Sequence, residues 1–294
     1  MSEATGGVAI GATARFTKTI SEADVYLYAG ITGDFSPNHI DEVYMRTGRY
    51  GRRIAHGTLL LGLMSIGWNL VALALLPVLD RERGRRVGRR GISRGYALFW
   101  RAARASSLLR MDASALAPLA DEGGLVVVAN HPSLLDALML VAQLPRSACV
   151  MKASLLRNPF LGPGARLARY IHNDSAYEMV RQAEADLRTG GQLVLFPEGT
   201  RSTRWPVGHF HSVVGLLAKR AAAPVQVVLI ETDSPYLGKG WPLWRLPPLP
   251  IVFRVRLGRR FDPPQDPKAF EAELEACIRA ELQHLPPPRG WRAP

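Results

Sequence analysis

The sequence predicts an α/β fold in which a mostly parallel sheet is flanked by helices. Two observations lead to this prediction. From residue 123 onwards, short apolar segments bounded by Gly or Pro alternate with segments of helical periodicity, and such alternation is typical of a parallel sheet. In addition, the chain has 294 residues, of which 47% are hydrophobic, so it can bury a substantial core.

The predicted elements follow one another regularly along the chain. Strands are expected at residues 123–130, 147–153, 169–174, 192–199, 223–232 and 250–261. Helices are expected at residues 133–144, 175–191, 211–222 and 267–283, where apolar residues recur every three to four positions. We assign residues 111–285 to this α/β domain and residues 286–294 to a proline-rich tail.

The chain before this domain divides into residues 1–66 and residues 67–110. Residues 57–79 carry no charge and reach the roughly 20 residues that a membrane-spanning helix needs, but two glycines, an asparagine and a proline interrupt them. A single span and an interfacial helix pair therefore both remain open. Residues 81–110 then contain ten arginines against one acid, within a formal net charge of +12 for the chain. This pattern favours an anionic membrane surface over nucleic acid, with a solvated basic helix as the alternative.

Targeting features favour the cytoplasm. The first twenty residues lack the pattern of a secretory signal. Cys149 and Cys277 are 128 residues apart, without the spacing of a zinc site or a disulfide framework. Together with the apolar and arginine-rich segments, this predicts a location at the cytoplasmic face of the inner membrane, either membrane-associated or single-span.

The segment NHPSLLD carries a candidate catalytic pair. His131 and Asp136 are five positions apart, which on one straight helix would separate them by roughly 140°, so the chain must turn between them. We expect the strand to end at Asn130 and Ser133 to cap the next helix, with Asp136 in its first turn. A carboxylate that orients an imidazole makes it a general base for a hydroxyl. Alternatively, SLLD is a capping box in which Asp136 only closes the helix end.

The segment LFPEGTRS, residues 195–202, places polar side chains where a strand ends. Ligands of α/β proteins bind at such strand ends. Glu198, Gly199, Thr200 and Arg201 combine a carboxylate, a flexible position, a hydroxyl and a guanidinium, and the planar guanidinium suits a phosphate. The alternative is a loop salt bridge between Glu198 and Arg201.

Occurring together, NHPSLLD and FPEGTRS, with APVQVV after them, resemble the signature blocks of the glycerolipid acyltransferase family typified by lysophosphatidate acyltransferases. The resemblance covers residues 68–285. It implies that His131 deprotonates an acceptor hydroxyl that attacks an acyl thioester, and that Asp136 orients His131. It also implies that Glu198, Gly199, Thr200 and Arg201 hold the glycerol or phosphate of the acceptor. No covalent acyl-enzyme, metal or cofactor is implied, and residues 67–110 would correspond to a two-helix membrane-docking element.

One stretch departs from the family pattern. LARYIHNDS carries His172 and Asn173 where the family has an Arg that contacts the acceptor phosphate, and Arg169 lies in a different register. This departure weakens the expected phosphate clamp. Lysophosphatidate is therefore the leading acceptor, with another lysolipid or an amino-acid lipid also compatible.

A second pair of Asp and His lies in GDFSPNHID. Residues 16–65 around it resemble the opening half of MaoC-like (R)-specific enoyl-CoA hydratases, which have the α+β hot dog fold. The resemblance implies that Asp34 and His39 activate a water for addition to an enoyl thioester. Most strands of a hot dog follow its central helix, but residues 66–110 have no strand pattern. We therefore expect residues 1–66 to be a truncated hot dog fragment with a relic site.

The predicted function is that of a membrane-associated O-acyltransferase of phospholipid biosynthesis. It would transfer a fatty acyl group from acyl-CoA or acyl-carrier protein to a lysophospholipid or glycerolipid acceptor. One alternative is a bifunctional enzyme in which a partner chain completes the hot dog around Asp34 and His39. The other is a non-catalytic membrane-docking protein that keeps the acyltransferase fold. Nucleic acid is not an expected partner.

Overall fold

The computed structural model contains one seven-stranded sheet with helices on both faces. It describes residues 18–288, apart from residues 33, 49, 106–108, 174, 212, 243–246 and 248. The strands are β1 (Leu109–Asp112), β2 (Leu125–Ala129), β3 (Ser147–Met151), β4 (Ile171–His172), β5 (Gln192–Leu195), β6 (Val225–Thr232) and β7 (Ile251–Phe261). The helices are α1 (Glu22–Thr32), α2 (Pro37–Ile40), α3 (Glu42–Arg46), α4 (Gly57–Leu75), α5 (Arg81–Ala105), α6 (Asp136–Gln143), α7 (Ala153–Leu156), α8 (Gly162–Leu167), α9 (Ala176–Arg188), α10 (Val214–Ala221) and α11 (Pro267–Leu282), and a short 3-10 helix spans Ser114–Leu119.

The sheet has the strand order β1-β7-β6-β2-β5-β3-β4. Strands β2 to β6 are mutually parallel, β7 is antiparallel to β6, and β1 is parallel to β7. The predicted α/β fold with a mostly parallel sheet is confirmed. Strand β1 was not predicted, because it lies at the end of the arginine-rich segment and is only four residues long.

Strand β2 separates two apolar cores. All five of its side chains are buried. Val126 and Val128 face the core under α9, α10 and α11, whereas Leu125 and Val127 face the core under α5 and α6. A strand that is buried on both faces needs a continuous apolar run, which is why LVVVA shows no alternation.

Side-chain caps define where the two longest helices of the α/β domain begin. The Ser175 side chain accepts a hydrogen bond from the Glu178 amide at the start of α9. The Asp266 side chain accepts hydrogen bonds from the amides of Lys268 and Ala269 at the start of α11. These side chains satisfy amide groups that the first turn of a helix leaves without intrahelical partners.

Helices α4 and α5 pack against each other and against α8. A methyl group at Gly91 of α5 would lie 2.1 Å from the Trp68 ring of α4, so only glycine allows this close approach. The Asn69 side chain of α4 accepts a 2.8 Å hydrogen bond from the Gly164 amide of α8. The helix pair is thereby held on the α/β domain.

Two arginines of α5 also bind the α/β domain. Arg89 is 3% exposed, and its two terminal nitrogens donate to the two oxygens of Asp186 at 3.0 and 2.7 Å. Arg85 donates to the same carboxylate at 2.8 Å. Asp186 lies in the last turn of α9, where the helix dipole disfavours a negative charge, so these cations compensate it. The expectation of a lipid-facing patch is wrong for these two arginines.

Of the two alternatives for residues 57–79, the single membrane span is not found. Helix α4 ends at Leu75, and a turn separates it from α5. Among the residues that the structure describes, no helix is both long and apolar enough to cross a membrane.

Before Leu109, the described residues form helices and loops without a strand. Helices α1 and α3 are linked through Arg53, which donates to Glu42 at 2.9 Å and also pairs with Glu22. Residues 1–17 of the predicted hot dog fragment and residues 289–294 of the predicted tail lie outside the described part of the chain.

Candidate active site

The candidate site lies at the carboxyl end of the central strand. Beyond β2, the Asn130 side chain bridges to β6, donating to the Ile230 carbonyl and accepting from the Ile230 amide, both at 2.8 Å. This double hydrogen bond continues the sheet by one residue. It fixes the point at which His131 leaves the sheet.

His131 and Asp136 are in direct contact. His131 Nδ1 lies 2.9 Å from Asp136 Oδ2, and the same oxygen accepts a 2.7 Å hydrogen bond from the Ser133 amide. The Asp136 side chain is fully buried, whereas the His131 side chain is 15% exposed. The His131 ring stacks on Phe196, with ring centroids 4.0 Å apart. The chain thus holds the imidazole by one nitrogen and one face.

The electrostatics of the pair are dominated by burial. Burial raises the pKa of the Asp136 carboxyl, and the hydrogen bonds from His131 and Ser133 act in the opposite direction. Within the described part of the chain, the second carboxylate oxygen, Oδ1, has no hydrogen-bond partner. Most of the stabilisation of the charged carboxylate therefore comes through Oδ2, the oxygen that contacts His131.

The expected cap at Ser133 differs in detail. Helix α6 begins at Asp136, and Ser133 belongs to the turn before it. The Ser133 hydroxyl donates to the Tyr236 carbonyl at 3.0 Å and accepts from the Leu135 amide at 3.3 Å. Asp136 accepts from the Ser133 amide, as in the capping alternative, and contacts His131 through the same oxygen.

Glu198 is committed to hydrogen bonds within the protein. The residue is 4% exposed. Its Oε1 accepts from the Ser202 hydroxyl at 2.6 Å and from the His131 amide at 3.3 Å, while its Oε2 accepts from the Gly208 amide at 2.7 Å. The carboxylate therefore ties the backbone of His131 to the loop after β5.

Arg201 does not pair with Glu198. One of its terminal nitrogens donates to the carbonyls of Leu237 and Gly238 at 2.9 and 3.0 Å, so the salt-bridge alternative is wrong. Its other guanidinium nitrogens have no partner among the described residues. Gly199 has a φ of 65°, which turns the chain between these two side chains, and Thr200 is exposed.

A loop after β6, residues 233–242, forms part of the site and was missed from the sequence. It supplies the carbonyls that hold Ser133 and Arg201, and its Leu237 carbonyl accepts from the Leu134 amide at 3.0 Å. Carbonyl groups are present in every residue, so no sequence signal could have identified them. The role of Asn130 could have been predicted, because an asparagine directly after a buried strand needs hydrogen-bond partners for its side chain.

The position that departs from the family pattern lies beside β4, the last strand of the sheet. Asn173 follows β4, which lies three strands from β2. Its amide donates to the Met151 carbonyl at 3.1 Å, and the His172 ring lies 3.1 Å from the Gln182 side-chain amide. The departing position therefore lies three strands from the strand that carries the dyad.

The second pair, Asp34 and His39, lies in the helical N-terminal segment. His39 Nε2 is 4.0 Å from Asp34 Oδ2, beyond hydrogen-bond distance. Asp34 Oδ1 instead accepts from the Ser36 hydroxyl at 2.6 Å, and His39 Nδ1 lies 2.8 Å from the Ile54 carbonyl. Burial lowers the pKa of His39, with Asp34 opposing this. Hydrogen bonds from Ser36 outweigh partial burial and lower the pKa of Asp34.

His56 completes a polar cluster with this pair. Asp34, His39 and His56 bring potential ligand atoms within 4.8 Å of one another. The ligands of a tetrahedral metal point at one centre. Here the two imidazole rings stack at 3.9 Å with an angle of 27°, so their nitrogen lone pairs run side by side. The arrangement fits packed, hydrogen-bonded side chains better than a metal centre.

Two family models match parts of the chain. The Acyltransferase model matches residues 110–231, which include His131, Asp136 and the loop after β5. The MaoC like domain model matches residues 7–72, which include Asp34, His39 and most of α4.

Curated relatives match a stretch of 55 or 56 residues of the chain. An (R)-specific enoyl-CoA hydratase of Rhodospirillum rubrum is 47% identical over 55 residues, 19% of this chain and 38% of that protein. A 3-hydroxybutyryl-CoA dehydratase of Methylorubrum extorquens is 43% identical over 56 residues, 19% of this chain and 36% of that protein. An (R)-specific enoyl-CoA hydratase of Aeromonas caviae is 38% identical over 56 residues, 19% of this chain and 42% of that protein. The chain thus spans about two fifths of the length of these relatives.

One solved structure resembles most of the chain. The crystal structure of the 1-acyl-sn-glycerophosphate (LPA) acyltransferase PlsC from Thermotoga maritima superposes with a TM-score of 0.53 at 21% identity, covering 80% of this chain and 98% of that one. This likeness concerns the fold. The family matches show that the chain carries an acyltransferase domain, which indicates a transferase enzyme, at residues 110–231, and a MaoC-like segment at residues 7–72.

Proposed function

We propose that the chain is an O-acyltransferase that moves a fatty acyl group from a thioester donor to the hydroxyl of a lysolipid acceptor, with His131 as the general base. The observation that carries this proposal is the 2.9 Å contact between His131 Nδ1 and the fully buried Asp136, at the carboxyl end of β2. A buried carboxylate that holds one ring nitrogen leaves the other free for proton transfer.

The proposed reaction begins with deprotonation of the acceptor. Asp136 keeps the proton of the imidazole on Nδ1, so Nε2 carries the lone pair that takes the hydroxyl proton. The acceptor oxygen attacks the thioester carbonyl, and a C–O bond forms. The imidazolium that results is stabilised by the Asp136 carboxylate.

The second half of the reaction returns this proton. The tetrahedral intermediate collapses, the C–S bond breaks, and the leaving thiolate takes the proton from His131 Nε2. An ester and a free thiol are the products. The acceptor hydroxyl, the thioester and the imidazole together account for every bond and proton in this reaction, so the proposed reaction uses neither a covalent acyl-enzyme nor a cofactor. The donor is acyl-CoA or acyl-carrier protein.

Arg201 is the proposed contact for the acceptor's phosphate. Its guanidinium uses one terminal nitrogen for two loop carbonyls, which aligns the remaining donors. For Glu198 we propose a positioning role in place of the acceptor contact that the family resemblance implies, because its carboxylate accepts from Ser202, Gly208 and His131. Gly199 and Thr200 remain proposed acceptor contacts.

Helices α4 and α5 are the proposed contact with the cytoplasmic face of the membrane. On α4, Leu70 and Leu73 are 60% and 54% exposed. On α5, Arg83, Arg86, Arg90 and Arg94 are exposed and recur every three to four residues. Exposed apolar side chains together with a cationic stripe suit an anionic lipid surface, where each arginine contributes about 1 kcal/mol. We place the reaction in phospholipid biosynthesis on this basis.

The test is a transfer assay on the purified full chain in mixed micelles. Acyl-CoA or acyl-carrier protein loaded with the same acyl group is supplied with a panel of lysophosphatidate, other lysophospholipids and an amino-acid lipid, and acylated products are measured by mass spectrometry. His131→Ala should lower the transfer rate by roughly 10²- to 10⁴-fold, the usual contribution of a general base. His284→Ala, which changes an exposed histidine after α11, serves as the matched control. Undiminished transfer in His131→Ala, or no transfer by the wild type with any pair of substrates, would overturn the proposal.

A further inference from the structure

A basic groove lies at the β1 edge of the sheet, away from the His131 dyad. It has a volume of about 480 Å³ and is lined by Arg104 of α5, Arg110 and Asp112 of β1, and Arg254 of β7, with apolar side chains between them. A second groove of about 260 Å³ adjoins it, shares Arg104 and Met111 with it, and adds Arg101. Four arginines and one carboxylate therefore surround the two grooves.

These arginines differ from their neighbours in forming no ion pair among the described residues, although Asp112 lies opposite Arg254 in the sheet and its pKa is lowered by Ser114 and by Arg254. On the same strand β7, Arg256 pairs with Glu231 and Glu281, Arg259 with Glu273, and Arg260 with Glu122. Within the described part of the chain, Arg101, Arg104, Arg110 and Arg254 make no ion pair and no side-chain hydrogen bond. The nearby Asp112 carboxylate accepts from the Ser114 hydroxyl and amide. The groove thus gathers four guanidinium groups against one carboxylate, and among the described residues none of the four uses its donors in a hydrogen bond.

The groove is connected to the candidate active site. The first residues of β7 lie beside the end of β6, with Arg254 opposite Glu231. Val252 in the groove donates to Asp233 at 2.9 Å, and Asp233 opens the loop that holds Ser133 and Arg201. Strand β1 is three strands from β2, a separation of roughly 14 Å. The groove and the dyad therefore share one end of the sheet.

We propose that this groove binds the nucleotide phosphates of an acyl-CoA donor, an inference that rests on the proposed acyl transfer. Guanidinium groups bind phosphate oxygens in pairs. The pantetheine arm that joins these phosphates to the thioester sulfur is about as long as four to five extended residues, roughly 15 Å. A donor with its phosphates in the groove can therefore present its thioester near His131.

The shape of the site favours this ligand over a bilayer. The arginines come from three different elements and surround a concavity, with Met111 and Phe253 in its lining. The arginines proposed for lipid contact instead lie along the exposed face of one helix, α5. Arginines along one convex helix face can contact a flat lipid surface together. A compact polyphosphate with an aromatic base instead fits a groove.

The experiment compares two double variants of the full chain. Arg110→Gln/Arg254→Gln removes charge from the groove, and Arg90→Gln/Arg94→Gln removes charge from α5 outside it. Binding of CoA and of 3′,5′-ADP is measured by calorimetry at low salt. We expect the groove variant to weaken binding of both roughly tenfold or more, and the α5 variant to bind as the wild type does. CoA binding that is equal in the wild type and the groove variant, or absent from both, overturns the proposal.

Two further readouts separate this inference from its alternatives. The KM for acyl-CoA should rise in the groove variant, whereas the rate with the same acyl group on N-acetylcysteamine, which has no phosphate, should not change. Loss of sedimentation with phosphatidylglycerol vesicles in the groove variant, with CoA binding intact, would identify a lipid headgroup site instead. Binding of acyl-carrier protein that depends on the groove, with no CoA binding, would also overturn the proposal.

The outcomes for the groove and for the reaction are distinguishable. CoA binding that depends on the groove, in a protein without acyl transfer to any acceptor, would leave the groove assignment standing and remove the proposed function. Should the groove variant have a lower unfolding midpoint than the wild type, Arg101→Gln/Arg104→Gln tests the same site from α5, where both side chains are exposed.

Discussion

The chain contains two pairs of Asp and His with the same five-residue spacing in opposite order, and their surroundings are very different. His131 contacts Asp136 at 2.9 Å, and Asp136 is fully buried. His39 is 4.0 Å from Asp34, whose side chain is 38% exposed. The first pair stands at the end of a buried central strand, whereas in the second His39 belongs to the four-residue helix α2 and Asp34 to the loop before it, in a segment whose described residues form no strand. Equal spacing in the sequence therefore does not produce equal chemistry, because the scaffold sets the distance between the side chains.

The largest expected effect comes from neutralising one aspartate of each pair. In Asp136→Asn, the side-chain amide no longer enforces the Nδ1–H tautomer of His131, so kcat for acyl transfer should fall by roughly 10³- to 10⁴-fold. Asp34→Asn should leave it unchanged. Steady-state rates of both variants, measured in parallel, check this. Equal losses in the two variants would mean that both pairs serve the same reaction.

The next largest effect concerns stability. Asp186→Ala leaves the buried Arg89 without its carboxylate, so the free energy of unfolding should fall by about 3–5 kcal/mol. Glu42→Ala removes an exposed partner of Arg53 in the N-terminal segment and should cause no measurable change. Urea unfolding followed by circular dichroism gives both values. A small effect of Asp186→Ala would show that the contact between α5 and α9 is dispensable.

A third prediction separates two roles for Glu198. If its carboxylate positions His131 and the loop after β5, Glu198→Gln should lower the free energy of unfolding by about 1–3 kcal/mol and lower kcat, while the KM for the acceptor stays constant. Glu184→Gln, in a surface ion pair with Arg220, is the control. A raised acceptor KM with unchanged stability would instead support the direct acceptor contact that the family resemblance implies.

The smallest expected effect is a pH dependence of the N-terminal pair. The pKa of His39 is lowered below its ordinary value of 6.5 in the folded chain. Locally unfolded forms of this segment therefore bind a proton on His39 more tightly than the folded form does. Stability from this group is present above pH 6.5 and is lost as the pH falls through the folded-state pKa. The protection factors of the α2 amides, which compare the observed exchange rate with the intrinsic rate at each pH, should fall as the pH drops from about 7.5 to about 5.5, and His39→Gln should abolish that change. Protection factors that are independent of pH in the wild type would argue against this assignment.

The sequence was most informative where local pattern determines structure. The continuous apolar run of β2 and the caps of α9 and α11 are encoded within a few residues, so these elements were predicted close to their observed positions. Strand β1 was missed because four residues at the end of an arginine-rich helix carry too little periodicity. Asp136 was correctly predicted to lie in the first turn of the helix after β2. The loop of residues 233–242 was missed because it contributes through backbone carbonyls, which every residue has.

The arginine-rich segment shows why charge alone misassigns side chains. Ten arginines in one segment predicted a surface for anionic lipid, yet Arg85 and Arg89 bind Asp186, about a hundred residues further along the chain. Only the three-dimensional arrangement brings α5 beside the end of α9. The same arrangement separates the exposed stripe of α5 from the groove at Arg110 and Arg254.

The most direct test compares the two histidines in one assay. Acyl transfer from acyl-CoA to lysophosphatidate, or to whichever acceptor of the panel the wild type prefers, is measured for the wild type, His131→Ala and His39→Ala at equal amounts of folded protein. We predict that transfer falls by roughly 10²- to 10⁴-fold in His131→Ala and stays within about twofold of the wild type in His39→Ala. Transfer that survives in His131→Ala, or that is lost in His39→Ala, would contradict the assignment of the chemistry to the dyad at the end of β2.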